Sequence, residues 1–500
     1  MSKIIKSIYW FLDQFFNIPF IKNWLDKHPR IKDKLISRLS PDRFNGLPLT
    51  LLIVILFIIL ILLLGVIQDY LFNNPLILAD VRIENLLYVF RSSSLLNFSY
   101  FITLFAEPIT IIILLIVLSI LLWIYRQRLY LLTLWLAVIM GSSITTLGKY
   151  IFHRERPDVI LRTINENSFS FPSGHATTVV VFYGFITYFI IKNTKSAIVK
   201  IMAVITFIAG VILVDLSRLY LGVHYLSDVW AGNLVGFAAL IIVIISTEWF
   251  RTNKNNLIVN KLKFSEIFLA IFFIWTTVFV MYSHAKLPEN KIRDISFQKI
   301  DTVSVLSIFD NGVSPRFTET IDGSRQEPIN LIVLASSSCF TSDIEKANWT
   351  LADSVTLDSM GKVAEAAWLN RPYPTAPMTP SFYNAYPNDY GFEKQTNQDT
   401  ARSRHHVRFW KTNYTTSLGD LYVGTVSLDT GLKWGITHKI APDIDTERDL
   451  FVSDLREAGV IDQERLISFV SPVLGTNFTG DQFFTNGKAA LIFMRGCVNP

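Results

Sequence analysis

The sequence predicts an all-α polytopic membrane domain of about six to seven transmembrane helices, followed by a soluble α+β domain. Three observations predict it. The 500-residue chain is 51% hydrophobic and 13% aromatic, with a mean hydropathy of +0.37, more apolar than a soluble globular protein of this size needs to fill its core. Long apolar runs recur between Leu49 and Tyr282. Beyond Tyr282 the apolar runs become too short to cross a bilayer.

Residues 1–48 form a basic segment, with nine Lys/Arg against four Asp, and read as cytoplasmic. Leu49 to Ile67 carries no charge and is long enough to cross ~30 Å of hydrocarbon at about 1.5 Å per residue. A secretory signal would set a short positive stretch directly before a brief apolar core and end in a small-residue cleavage site. This segment does neither, so it reads as a retained anchor. Six further runs are candidate spans: Phe101 to Trp123, Leu129 to Leu147, Thr178 to Ile191, Ile201 to Val214, Val229 to Ile245 and Ile267 to Tyr282.

Positive residues stay on the cytoplasmic side of a membrane. Arg126 and Arg128, then Lys192, Lys195 and Lys200, then Arg251, Lys254, Lys261 and Lys263 fall with the N-terminus on one side of a seven-span thread. The loops Gln68 to Tyr100, Gly148 to Thr177 and Asp215 to Asp228, and everything after Tyr282, fall on the other. The Gly148–Thr177 loop is basic too (Lys149, Arg154, Arg156), and that departure from the positive-inside pattern marks it for chemistry.

Residues 284–296 read as a polar linker. From Phe297 to Pro500, runs such as "NLIVLA", "DLYVGTVSLD" and "KAALIFM" alternate with turn-rich loops, as in a domain of mixed helix and strand with its own core. Both cysteines, Cys339 and Cys497, lie here. A disulfide is possible on the outer side, though two cysteines alone do not fix geometry.

The outer loops gather Lys149, Arg156, Ser173, His175, Arg218, His224 and Asp228 at one surface. Three cations, two imidazoles, a hydroxyl on a Ser-Gly turn and a carboxylate are the groups that phosphoryl transfer needs: charge for the equatorial oxygens, a nucleophile and an acid. His224 and Asp228 are four apart, so on a helical start they share a face and the carboxylate can accept the ring N–H. That would fix the tautomer and leave the other nitrogen to attack. His224 is the expected nucleophile and Asp228 its orienter. His175, with no carboxylate four residues away, suits a general acid. Gly174 lets backbone approach closely, and Ser173 at a helix start can offer donors to phosphate. Singly, each residue has an ordinary reading as a snorkelling cation, a polar interfacial group or a helix start. Their threading to one face argues for a shared purpose.

These segments, "KYIFHRERP", "PSGH" and "SRLYLGVHYLSD", resemble the three signature motifs of the type 2 phosphatidic acid phosphatase superfamily over roughly Leu49 to Ile245. The resemblance implies a metal-independent hydrolysis of lipid phosphates or diphosphates in two steps, through a phosphohistidine at His224 with His175 as acid, and no cofactor. The stretches "INLIVLASS", "SRHHVRFW", "LYVGTVSLD" and "HKIAPDIDTERD" resemble the LssY-type C-terminal domain of some bacterial membrane phosphatases, which implies a bacterial inner membrane location. The partner of that domain is left open.

His405, His406, His438, Asp443 and Asp445 invite a metal-site reading, but adjacent His405 and His406 would point apart on a strand, so they are read as turn and core residues. The formal charge of +5 is accounted for by cytoplasmic anchors, without nucleic acid. A vanadium-dependent haloperoxidase would use a similar pocket, but seven spans argue against a soluble enzyme. A lipid phosphotransferase would share the intermediate. A transporter or scaffold is the non-enzymatic alternative, and against it Glu107 is the one obvious acidic residue within the spans. Undecaprenyl diphosphate, phosphatidic acid, phosphatidylglycerol phosphate and lipid A phosphates present the same group, so the sequence does not choose among them.

Overall fold

The computed structural model describes residues 10, 13–14, 17–41, 43–253, 273, 275–283, 287–289, 296–310, 312–369, 371–400, 403–433, 437–477 and 479–496. They divide into two compact units. One comprises residues 1–74 and 91–291, the other residues 75–90 and 292–500.

The first unit is helical. Two short helices, α1 (Pro19–Asp26) and α2 (Pro29–Leu39), each begin on a proline, whose fixed φ and missing N–H suit the first turn. Then come α3 (Leu47–Phe72), α5 (Ser93–Thr103), α6 (Pro108–Ile124), α7 (Arg128–Phe152), α8 (Gly174–Asn193), α9 (Ala197–Tyr220) and α10 (Leu226–Asn253). Among the described residues, five of these helices, α3 and α7 to α10, are long and apolar enough to cross a membrane, and the pair Ser93–Ala106 and Pro108–Ile124, bent by 41°, is a sixth candidate when taken together. The chain is a multi-pass membrane protein. The bend replaces the single straight span expected over Phe101 to Trp123: Glu107 is extended and Pro108 follows it, so the helical hydrogen bonding is interrupted there. The seventh expected span, Ile267 to Tyr282, lies largely outside the described residues, of which 275–283 are helical.

Burial ranks the spans. Only 11% of the apolar window of α3 is buried, against 61% for α8 and 56% for α10, so α3 presents most of its apolar surface to lipid while α8 and α10 form the centre. Close approach there depends on glycine. A Cβ at Gly141 on α7 would lie 2.9 Å from a Val181 methyl, and one at Gly236 on α10 would lie 2.8 Å from Val180 Cβ.

The helices outrun the apolar stretches read from sequence, so α9 and α10 take in Asp215 and Glu248. Asp215 Oδ2 accepts from Asn233 at 2.6 Å, and Glu248 Oε1 accepts from the Tyr188 hydroxyl at 2.6 Å and pairs with Lys192 at 2.8 Å. Glu107 is therefore not alone as an acidic residue within the spans.

The second unit includes the helix α4 (Pro75–Val89), from a stretch the sequence offered as a loop. Its polar side chains explain the grouping: Arg82 pairs with Glu319 at 2.5 Å, and Asn85 Nδ2 donates to the Ala385 carbonyl at 3.0 Å. A buried helix carrying these groups needs such partners.

The strands of this unit are β1 (Gln298–Lys299), β2 (Phe317–Glu319), β3 (Arg325–Pro328), β4 (Leu331–Ala335), β5 (Thr350–Leu351), β6 (Phe382–Tyr383), β7 (Tyr386–Pro387), β8 (Tyr390–Thr400), β9 (Ser403–Thr416), β10 (Gly419–Lys433), β11 (Thr437–Ile440), β12 (Ile461–Ser468), β13 (Val473–Thr476), β14 (Gln482–Thr485) and β15 (Lys488–Met494). The main sheet runs β12-β15-β4-β10-β9-β8-β5, with β1 joined to β9 and β11 to β10, and a second sheet runs β3-β2-β6-β7. In the main sheet β15 and β4 pair in parallel, as do β1 and β9, while the other pairs are antiparallel. Period-two alternation gives the sheet two cores. Val333, Val407, Phe409 and Ile492 pack with Phe340 of α11 (Phe340–Lys346) and Phe451 of α13 (Ile444–Glu457), whereas Ile332, Leu334, Trp410 and Leu421 belong to another cluster. The helix between these two, α12, spans Leu357–Leu369.

His405 and His406 point apart on β9: His405 Nδ1 lies 2.6 Å from Glu447 on α13, and His406 Nε2 lies 2.8 Å from the Ser427 hydroxyl. Asp443 caps α13, accepting from the Asp445 and Thr446 amides. The side chain of His438 and all of Cys497 lie outside the described residues.

Candidate active site

Helix ends and the segments between them bring the eight expected residues together. Lys149 lies in the last turn of α7, Arg156 in the segment after it, Ser173 at the N-cap of α8, and Gly174 and His175 in its first turn. Arg218 ends α9, His224 lies in the link to α10, and Asp228 is in the first turn of α10.

Packing fixes this arrangement. A Cβ at Gly232 on α10 would lie 2.5 Å from the Ser173 carbonyl, and one at Gly148 on α7 would lie 2.7 Å from Pro172 Cδ, so both helices press against the Pro-Ser-Gly-His turn. The Ser173 amide donates to the Asp228 carbonyl at 2.9 Å. Its hydroxyl accepts from the Ala176 amide, which caps the helix and leaves the O–H as its donor. A Cβ at Gly174 would meet only a Thr145 methyl, at 3.9 Å. Protein packing therefore does not require glycine there, and its effect is to keep that approach open.

His224 and Asp228 are both buried. Asp228 Oδ2 lies 3.4 Å from His224 Nδ1 and accepts from the Tyr225 amide at 2.9 Å. Its other oxygen pairs with Arg154 at 2.7 Å, and Arg154 also donates to the Ser227 hydroxyl at 2.6 Å. With the proton on Nδ1 facing the carboxylate, Nε2 carries the lone pair, and the Arg156 Nη1 donor lies 3.2 Å from it. Burial, followed by the charges of Arg156, Arg218 and Lys149, holds His224 well below the usual imidazole range, so the ring is neutral at pH 7.

Arg156 is anchored by the carbonyls of Ser168, at 2.7 Å, and Val223, at 2.6 Å, and burial lowers it to about 10. Lys149 Nζ and Arg156 Nη2 meet at the Ser168 hydroxyl, at 2.9 and 3.1 Å. Arg218, wholly buried, donates to the Thr103 hydroxyl at 3.0 Å and pairs with Glu166 at 2.5 Å, while the other Glu166 oxygen lies 3.5 Å from Arg156. Burial opposes ionisation of Glu166, but Arg218 and Arg156 together outweigh it and hold the carboxyl down to about 2. His175 Nε2 lies 3.2 Å from Glu107 Oε2.

Sequence reasoning missed four contributors. Glu107 was visible as an acid beside a proline, but its pairing with His175, 68 positions away, has no local signature. Arg154 stood inside the quoted "HRERP" and read as one more basic residue. Glu166 and Ser168 sit in "INENS", a polar stretch without periodicity.

Donors from three cations converge near an imidazole lone pair whose ring a carboxylate orients. This arrangement can hold an oxyanion and present a nitrogen nucleophile to its central atom.

Residues 129–253 match the PAP2 superfamily, and residues 311–489 match the family described as LssY C-terminus. Over 92 residues the chain is 41% identical to Phosphatidylglycerophosphatase B of Bacillus subtilis (strain 168), a match covering 18% of this chain and 44% of that protein. The chain thus spans less than half the length of this curated relative. Among solved structures it is similar to the first transmembrane PAP2 type phosphatidylglycerolphosphate phosphatase from Bacillus subtilis, at 27% identity and a TM-score of 0.36 over 41% of this chain and 98% of that one. It is also similar to Aquifex aeolicus LpxE, at 21% identity and a TM-score of 0.28 over 33% and 94%. The chain thus matches two family models in succession, that of the PAP2 superfamily and that of the LssY C-terminus.

Proposed function

We propose that the protein is an integral-membrane phosphatase that hydrolyses lipid phosphate or lipid diphosphate monoesters at the extracytoplasmic face of a bacterial inner membrane. The observation that carries this reading is the buried Asp228–His224 pair with Arg156 at the free ring nitrogen. The stretch of 41% identity to Phosphatidylglycerophosphatase B supports the substrate class.

In the first step His224 Nε2 attacks phosphorus, the P–N bond forms and the P–O bond to the lipid breaks. His175, in its protonated form, gives the proton to the departing oxygen. In the second step water attacks phosphorus, its proton passes to His175, and the P–N bond breaks to release phosphate. Lys149, Arg156 and Arg218, with the Ser173 hydroxyl and the open approach at Gly174, hold the equatorial oxygens, supplying the charge that a divalent ion supplies in other phosphatases. Asp228 keeps His224 in the reactive tautomer. The distribution of Lys and Arg supports a cytoplasmic N-terminus and an outer site. A site at helix mouths also suits a substrate whose phosphate lies at the interface while its chains stay in the bilayer.

The test is phosphate release from a panel of lipid phosphates by the purified protein, with and without EDTA, beside His224→Ala. Turnover is expected in chelator, with acid-labile phosphate trapped on the wild type and none on His224→Ala. Normal turnover by His224→Ala would overturn the mechanism, and activity lost in EDTA and restored by one divalent ion would overturn the roles of the cations.

A further inference from the structure

The strand-rich unit encloses a cavity of about 330 Å3, within the range of small-ligand pockets. Its lining has two parts. The polar part comes from the face of β9 and β10 that carries Arg404, His406, Arg408, Ser427 and Asp429, and the apolar part includes Ile321, Met378, Pro380, Phe382 and Ile440.

Charged groups in this lining are mostly committed. Arg404 pairs with Glu393 at 2.7 Å and lies 3.5 Å from Asp429, which is also 3.3 Å from His406 Nδ1. Glu319 is taken by Arg82. Arg408 is held less closely: its buried Nε, like Arg404 Nε and His406 Nδ1, has no hydrogen-bond partner, and Asp429 and Glu327 act on it through their charge. The other acid of the lining, Glu327, is pushed upward by burial and pulled down by the charge of Arg408. Burying a guanidinium nitrogen without an acceptor is costly unless a ligand completes it. No group of residues suited to a metal ion occurs among the described residues, while the unpaired Arg408 Nε is a donor suited to an anion. Thr379 and Ile321 are exposed at the rim, whereas Arg404 and His406 are buried. That gradient, with an apolar wall beside a polar floor that carries Arg408, matches a ligand with an oxyanion at one end and a hydrocarbon body at the other.

We propose that this cavity is a second ligand site, which takes a small amphiphile with its phosphate oxyanion on Arg408 and its apolar body along Ile321, Met378 and Phe382. Its residues are distinct from those given the phosphatase chemistry, so the proposal stands apart from that reading. The shared chemistry is the oxyanion, whose source is either an alkyl phosphate or free phosphate.

The test is calorimetric titration of hexyl phosphate and of inorganic phosphate into full-length protein in nanodiscs, in a His224→Ala background that cannot turn over. Hexyl phosphate should show an Arg408-dependent class of sites that Arg408→Gln weakens at least about tenfold, the scale of one lost charge-assisted hydrogen bond. Ile321→Glu, an exposed change that sets a negative charge at the rim, should weaken the same class without disturbing the core. Both variants should keep the parent chain's amide-exchange protection in β4, β9 and β10, which shows that the strand-rich unit folds. Hexyl phosphate isotherms unchanged by both substitutions would overturn the site. Inorganic phosphate binding to the Arg408-dependent class as tightly as hexyl phosphate would overturn the assignment to an amphiphile.

Discussion

Glu166 spans two cations of the candidate site, 2.5 Å from Arg218 and 3.5 Å from Arg156. A carboxylate between two guanidinium groups is where a phosphate would be held, so this side chain competes with any bound oxyanion. Glu166→Gln should keep the shape and remove the charge. Inorganic phosphate and vanadate are then expected to inhibit about three- to tenfold more tightly, the effect of removing one partly exposed competing charge. Weaker inhibition would mean that Glu166 orders the cations rather than occupying their site.

The contact between Glu107 and His175, at 3.2 Å, bears on proton delivery. An acid matters most when the leaving oxygen is a poor one. His175→Ala is expected to lose about 10²–10⁴-fold on an alkyl lipid phosphate and far less on p-nitrophenyl phosphate, whose leaving group departs without a proton. Glu107→Gln should show the same split, less steeply. Equal losses on both substrates would remove His175 from the acid role.

His224 sits below the usual imidazole range because of burial and then the nearby cations. A lowered pKa keeps the ring neutral, hence nucleophilic, as pH falls beneath 6.5. The acid limb of kcat/KM for this group should therefore lie below pH 6.5. Removing a neighbouring positive charge raises an imidazole pKa, so Arg156→Gln should shift the residual limb upward. A limb that stays in place or moves down would contradict that electrostatic account.

Gly232 touches the Ser173 carbonyl so closely that an added Cβ would lie 2.5 Å from it, while around Gly210 on α9 nothing lies within 4 Å. Gly232→Ala should displace the Pro-Ser-Gly-His turn and cost up to about 10²-fold in kcat, the scale seen for small misplacements of reacting groups, with membrane insertion retained. Gly210→Ala should be near neutral. A fully active Gly232→Ala enzyme would show that the turn moves without consequence.

Much of this protein was legible locally. Each apolar run reports its own transfer into hydrocarbon, so α3 and α7 to α10 could be read from composition. Fixed spacing also exposed His224 with Asp228, because a four-residue separation on a helix is itself a statement about proximity. Helix ends were less legible. Capping and packing carry α9 on to Tyr220 and α10 on to Asn253, past the point where hydropathy stops.

The sequence by itself determined the apolar spans, the motif residues and the change to short strands after Tyr282, because these depend on neighbours along the chain. Only the tertiary structure decided that Glu107 faces His175, that Glu166 bridges Arg218 and Arg156, that Arg154 holds the second oxygen of Asp228, and that Pro75–Val89 belongs with the strand-rich unit. The physical reason is the same in each case. A buried charge or polar group must find a partner, and that partner is chosen by which segments packing brings within about 3 Å, a choice that sequence separation does not record.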